Sequence, residues 1–434
     1  LIEPTYTKTI EKIFLGRFPI MLKSDLCILT KLSPDVCYEL GEDKNDYGGY
    51  FIIDGKEKCI ISQEHFADNM LYLTDKVNDI YSCSANIRSV SEDTTKPIRS
   101  FSINMVNETN QIVVNVPNVR KPVPLFILMR ALGVISDKNI IEHCLLDLEN
   151  NEDLIDIFTP SIYDAGTIFN QDLALKYIST FTKQKTIPQT ILLLSDYLLP
   201  HMGDINFKDK AYFIGYMTNE LIKISTKEKK PTDRDSFRFK RVELPGILLN
   251  NLFKEYYNLQ LNNIYQKIDK EFYYKQGLYK NNFTDLIDLN YKNFFSDRIV
   301  ENGIRKGFKG NWGATPHTKR LGVVQDLNRL SYNSALSQLR KINLPLDSSA
   351  KVVAPRYLHS TQWGLIDPVD TPDGGNVGLH KHLALGCFIS TKISSNKIID
   401  LLKQFNLQLL NEVTPINIYK LTKIIVNGNW LGVI

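Results

Sequence analysis

Apolar and polar positions change their rhythm several times along the chain. The run Tyr50-Phe51-Ile52-Ile53 follows Gly48-Gly49, and Lys58-Cys59-Ile60-Ile61 follows the dipeptide Asp54-Gly55. Two short apolar runs around Asp-Gly predict a β-hairpin, and residues 1–75 read as β-rich. A second β pattern spans about 98–116, with Val113, Val114 and Val116 ahead of Pro117. Residues 122 to about 225 then read as mainly helical, with Pro122, Pro188 and Pro200 as boundaries. Residues 244–297 are helical again and rich in Tyr, Asn and Lys. Val324, Leu327, Leu330, Leu336, Leu339 and Ile342 fall at helical spacing before Pro345 and predict one core-facing helix. A helix over 397–411 and a strand over 422–427 close the pattern, and no repeat of solenoid period is present. Such a mixture predicts a multidomain α+β protein.

The longest apolar stretches, Leu125–Met129 and Ile191–Leu199, fall far short of the roughly 20 residues that span a bilayer and read as core. The opening Leu1-Ile2-Glu3-Pro4 has no Met and no basic stretch ahead of an apolar one. The chain stops soon after Asn427-Gly428, a hairpin signal. We expect a piece of a longer protein. Its six cysteines form no Cys-x-x-Cys pair, which argues against a zinc ribbon and for small buried residues in a reducing, intracellular compartment.

The formal charge is only +4, which by itself points to no anionic partner. Its distribution changes that reading. Residues 298–356 hold eleven basic and three acidic side chains, an excess of eight, so the rest of the chain is slightly acidic. Within this segment Gly303, Gly307, Gly310 and Gly313 interleave with Phe308, Trp312 and the cations. Glycine lets a backbone approach a phosphate, Lys and Arg neutralise it, and aromatics stack on bases or anchor the loop. The competing reading is a solvated basic loop. Candidate nucleic-acid contacts are Lys306, Lys309, Lys319, Arg320, Arg329 and Lys351.

Residues 354–378 are too rich in Pro and Gly for a long helix or central strand and must form a shaped loop. His359 with Ser360 or Asp370 suggests a hydrolase only weakly, since no Gly-x-Ser-x-Gly elbow is present. Asp370 and Asp373 lack the ligand spacing of a calcium loop, and His380 and His382 have no further metal ligands nearby. No Gly-x-x-x-x-Gly-Lys-Ser/Thr phosphate loop occurs.

Pro355-Arg356-Tyr357-Leu358-His359-Ser360-Thr361-Gln362-Trp363-Gly364, then Pro368-Val369-Asp370-Thr371-Pro372-Asp373-Gly374, then Gly378-Leu379, resembles a signature of one family. It is the second-largest subunit of multisubunit DNA-directed RNA polymerases. Gly16-Arg17-Phe18-Pro19-Ile20, Gly48-Gly49-Tyr50-Phe51-Ile52-Ile53, Asp233-Arg234-Asp235, Gly310-Asn311-Trp312-Gly313 and Leu327-Asn328-Arg329 extend the resemblance, in order, from about residue 13 to 385. The wording is closer to the eukaryotic and viral branch than to the bacterial one. Richness in Asn, Ile and Lys suggests an AT-rich genome such as that of a large DNA virus. The family pattern has Glu where Asp370 and Asp373 stand, often Gln at Tyr357 and often His at Ser236.

The resemblance implies a protrusion domain over 1–74 and 237–297, an inserted lobe over 75–236, a fork over 298–380 and the start of an external domain over 381–434. It implies that the loops Ala314–Lys319 and Leu346–Val352 lie near the upstream hybrid and the downstream DNA fork. Arg356, His359, Trp363, Asp370, Thr371, Pro372, Asp373 and Gly374 would lie near the active centre. Nucleotidyl transfer is implied for the assembled enzyme, with Mg2+ held mainly by the largest subunit and no catalytic or metal-binding residue in this segment. The implied partners are the largest and the smaller polymerase subunits, template DNA, the RNA–DNA hybrid and NTP, with no membrane. The implied location is intracellular, in the nucleus or in a viral cytoplasmic factory or virion. The alternative is a non-catalytic nucleic-acid-binding or scaffold protein that retains the fold.

Overall fold

The computed structural model describes residues 9–434 apart from 94, 275–278, 280–282 and 392. The fold is α+β and divides into two compact units. The first comprises Leu1–Phe66 and Asp235–Ile389, the second Ala67–Arg234 and Ser390–Ile434.

The first unit carries two small sheets. Phe51–Ile53 and Lys56–Ile60 form the expected hairpin, turning at Asp54 and Gly55, both with positive φ as a two-residue turn of this kind requires. Val324–Asp326 adds to its other side, with Val324 opposite Ile60. The second sheet runs in the order His380–His382, Lys341–Asn343, Ser62–Phe66, Lys240–Glu243, and only the central pair is parallel. Buried Glu64 lies 3.1 Å from Lys240 Nζ and 3.2 Å from Lys381 Nζ, so one carboxylate ties three of these four strands. Phe51, Ile60, Leu248, Leu252, Tyr256, Ile304, Phe308 and Trp312 build the core beneath the hairpin.

The helix expected over 324–342 is not continuous. Val324–Asp326 is a strand, Tyr332–Leu339 a helix and Lys341–Asn343 a strand again. The apolar spacing fits a helical period, yet both ends are drawn into sheets by pairing with distant strands. The hydroxyl of Ser331 accepts from Ser334 N, and that of Ser334 accepts from Ser331 N, so a capping box starts the helix there. Leu330 is fully turned to solvent, at 87% exposure.

Residues 9–50 are also less β-rich than expected, holding a 3-10 turn at Ile28–Lys31 and a helix at Pro34–Glu39. From Pro245 to Tyr274 the chain is one long helix, and Ile299–Phe308 packs on it. The contact is close because Gly303 meets the Tyr256 ring and Gly307 meets Leu252 and Trp312.

The second unit contains a five-stranded antiparallel meander, Leu71–Asp75, Tyr81–Ser89, Arg99–Val106, Ile112–Asn115 and Val123–Pro124. Helices from Leu125 to Ser225 pack with it around one large core. Every residue of the helix Leu125–Ala131 is buried, which accounts for that apolar stretch. Lys227–Pro231 forms a surface turn, with Lys229 ion-paired to Glu220. A hairpin of Lys423–Val426 and Asn429–Val433 turns at Asn427 and Gly428. The expected terminal helix ends at Gln404, and Gln408–Leu409 pairs with Asn429–Val433 instead. Among the described residues, no helix is long and apolar enough to cross a membrane.

Candidate nucleic-acid interface

The glycine-rich basic segment starts on the helix Ile299–Phe308. A Cβ at Gly303 would overlap the Tyr256 ring, so this glycine serves helix packing rather than phosphate approach. Phe308 and Trp312 are buried and anchor the segment rather than presenting a stacking face. After Trp312 the chain makes a closed loop. Arg320 N donates to Trp312 O at 3.0 Å across its neck. Gly313 has φ of +102°, and a Cβ there would run into the backbone of Thr318 and Lys319.

The long helix Pro245–Tyr274 holds the loop from below. Glu255 Oε2 accepts from Ala314 N at 2.9 Å and from Thr318 Oγ1 at 2.8 Å. Thr318 N in turn donates to Thr315 O at 3.0 Å. His317 and Lys319 remain exposed.

The six candidate cations fall into two sets. Arg329 makes a bidentate pair with Glu57, Nε to Oε2 at 2.8 Å and Nη2 to Oε1 at 2.9 Å. It also reaches Asp46 at 3.2 Å and lies over the Tyr50 ring. Burial opposes ionisation of Asp46, but the Gly48 N–H, the Tyr50 hydroxyl and Arg329 outweigh it and hold the carboxyl below its usual range. Arg320 pairs with Glu243 at 2.8 Å, and Lys309 shares Asp54 with Arg305. Lys306, Lys319 and Lys351 have no carboxylate or hydrogen-bond partner for their ammonium groups among the described residues. Much of the local positive excess is thus met by acids from elsewhere in the first unit, and three lysines keep an unneutralised charge.

Arg356 organises the next segment. Its Nη1 donates to Gly375 O at 2.6 Å and Val377 O at 3.0 Å, and its Nη2 donates to Ser348 O at 3.0 Å. Gly378 sits against the Arg356 backbone, where a Cβ would clash. Loop 346–352, which carries Lys351, is thereby tied to the turn 374–378. Exposed Asp347 at its start is held below the usual carboxylate range by the Ser349 N–H.

Several of the expected active-centre residues are tied to neighbouring elements of the first unit. Asp370 Oδ2 accepts from Ser337 Oγ at 2.8 Å. His382 Nδ1 donates to Asp370 O at 2.8 Å and lies 3.3 Å from its Oδ1. Thr371 Oγ1 donates to His380 O at 2.9 Å and accepts from Gly378 N at 3.0 Å. His359 Nδ1 accepts from Thr361 N and Oγ1, while Thr361 Oγ1 accepts from Phe237 N at 2.8 Å.

His380 Nδ1 donates to Asn343 Oδ1 at 2.6 Å. Burial, then the Lys341 and His382 charges, lower its pKa. Trp363, at 65% exposure, and Asp373 face solvent; Gly374 adopts positive φ and Pro372 is half-buried.

His359, Ser360 and Asp370 do not assemble as a nucleophile–base–acid relay, because His359 addresses Thr361 and Asp370 addresses Ser337 and His382. No three His, Cys, Asp or Glu side chains converge as a metal site among the described residues. Sequence reasoning missed Glu255, Glu243, Glu57 and Ser337. Each lies tens to hundreds of residues from its partner, and no local pattern marks it.

Comparison with known proteins places these features in a family. The model described as RNA polymerase beta subunit matches residues 3–288, and that described as RNA polymerase Rpb2, domain 3, matches residues 325–389. The chain is 36% identical over 431 residues to DNA-directed RNA polymerase II subunit RPB2 of Encephalitozoon cuniculi, covering 96% of this chain and 36% of that protein. It is 35% identical over 440 residues to the Schizosaccharomyces pombe subunit RPB2, covering 98% of this chain and 35% of that protein. It is 31% identical over 440 residues to DNA-directed RNA polymerase subunit Rpo2 of Saccharolobus solfataricus, covering 97% of this chain and 37% of that protein. The chain spans little more than a third of the length of these relatives. A family model matching residues 3–288, a second matching residues 325–389, and relatives matched along nearly the whole chain make it a member of the RNA polymerase beta-subunit family.

Proposed function

We propose that this chain forms part of the second-largest subunit of a DNA-dependent RNA polymerase and lines one wall of its nucleic-acid cleft. In that role it supports nucleotidyl transfer by positioning and electrostatics, and a partner subunit supplies the catalytic Mg2+. Residues 1–74 and 237–297 act as the protrusion, 75–236 as the lobe, 298–380 as the fork and 381–434 as the start of an external domain. Template DNA, the RNA–DNA hybrid, NTP and the other polymerase subunits are its partners in the assembled enzyme. The eukaryotic relatives support a nuclear setting. A viral source and a viral factory rest on composition alone.

The observation that carries this reading is the separation of the cations. Lys319 and Lys351 stand exposed on two loops whose backbones are held by Glu255 and Arg356. Unneutralised charge on anchored loops suits a backbone-tracking surface, because phosphate contacts position a nucleic acid without reading its sequence. Loop 367–378, held by Asp370 on Ser337 and His382, by Thr371 on His380 and Gly378, and by Arg356 on Gly375 and Val377, then acts as a stiff wall beside the active centre. The test is binding of the 434-residue chain to a short RNA–DNA hybrid across a salt series. Affinity should fall steeply with salt, and salt-independent binding would overturn the electrostatic role.

A further inference from the structure

We propose that Glu255 is a positioning residue for nucleic-acid binding: it fixes the loop 313–319 so that Lys319 meets a phosphate. This rests on the nucleic-acid reading above and extends it to a side chain on a helix that carries none of the candidate contacts. Glu255 is half-buried on the long helix Pro245–Tyr274, one turn after the buried Leu252 and next to the buried Tyr256. Its position is therefore set by the core. One carboxylate oxygen takes both the Ala314 amide near the start of the loop and the hydroxyl of Thr318, beside Lys319.

The Arg320–Glu243 pair and the Trp312–Arg320 bridge act at the neck of the loop. Thr315 and Thr318 bond to each other within it, and the Tyr256 hydroxyl donates to Gly313 O at 3.5 Å. Glu255 is the charged acceptor that ties this interior turn to the long helix. A charged acceptor strengthens such hydrogen bonds, and a fixed backbone lowers the ordering cost of each phosphate contact.

The experiment measures affinity of the 434-residue chain for a labelled RNA–DNA hybrid as a function of salt, for Lys319→Ala, Glu255→Ala and the double variant. Thermal melting and amide exchange at Ala314 are followed in parallel. Losing one phosphate contact should flatten the plot of log affinity against log salt by about 0.7–0.9. Glu255→Ala should flatten it as Lys319→Ala does, and the double variant should flatten it no further. Glu255→Gln, whose amide oxygen still accepts, should restore most of the slope.

Additive effects, or a Glu255→Ala chain that melts lower with an unchanged slope, would overturn the positioning role while leaving the role of Lys319 intact. An unchanged slope in Lys319→Ala would overturn both. If Glu255→Ala unfolds, Thr318→Ala removes one of the two donors and carries the same expectations.

Discussion

The division of the cations makes a quantitative prediction. Replacing Lys306, Lys319 and Lys351 together by Ala removes three charges that no carboxylate balances. If each neutralises one phosphate, the slope of log affinity against log salt should become shallower by about 2.7. Between 50 and 200 mM salt that slope corresponds to roughly a 40-fold difference in how far affinity falls.

Replacing Lys309, Arg320 and Arg329 removes the same formal charge but breaks pairs with Asp54, Glu243, Glu57 and Asp46. The slope should then change by less than about 1, while stability falls, because a bidentate Arg–carboxylate pair and its packing on Tyr50 are lost. The assay is fluorescence anisotropy of a labelled RNA–DNA hybrid at five or six salt concentrations, alongside melting curves. Equal slope changes for the two triples would refute the division and return the basic segment to a diffuse positive field.

Other consequences test the packing and the loops. Gly303→Ala pushes a methyl into the Tyr256 ring and should destabilise by about 1–3 kcal/mol, less the helix-propensity gain of about 1. Gly246→Ala, where a Cβ meets nothing within 4 Å, should be neutral or stabilising, and the reverse order would contradict the packing. Arg356→Ala should speed amide exchange in loops 346–352 and 374–378 together. Arg356→Lys should not restore protection, since an ammonium lacks the fork that spans Ser348, Gly375 and Val377.

His201, hydrogen-bonded to Ser89, has its pKa lowered from 6.5 to about 4 by burial and by the charge of Lys210. The folded state therefore binds this proton less readily than the unfolded chain. Its contribution is fully present above pH 6.5 and is lost as pH falls towards 4, by about 3 kcal/mol. Chemical denaturation at pH 7 and pH 4.5 should show this loss, and in His201→Gln the loss should shrink.

Turn chemistry and motif order carried most of what was legible in the chain. Asp54-Gly55 and Asn427-Gly428 announce their hairpins because positive φ at both turn positions is a local demand. The ordered signatures from Gly16 to Leu379 announce the family. Non-local pairing defeated the periodicity at 324–342, where Val324 joins Ile60 in a sheet and Ile342 joins Ser62.

The same cause hid the charge balance. Glu57 lies 272 residues before Arg329, so a count over 298–356 registers the cation and misses its counter-ion. Glycine was misread at Gly303 and Gly307 because close helix packing and phosphate approach call for the same residue. Glu255 carries no signal at all until the fold brings the loop over its helix.

Under the proposed function, Lys319 and Lys351 face nucleic acid inside a working polymerase. Photocrosslinking tests it most directly, with Lys319→Cys and Lys351→Cys each carrying a photoreactive group in the complete subunit, assembled on an RNA–DNA hybrid scaffold. Crosslinks from both positions to the nucleic-acid strands, above the background of the unsubstituted chain, are the predicted result. Crosslinks confined to protein, with none to either strand, would contradict the account.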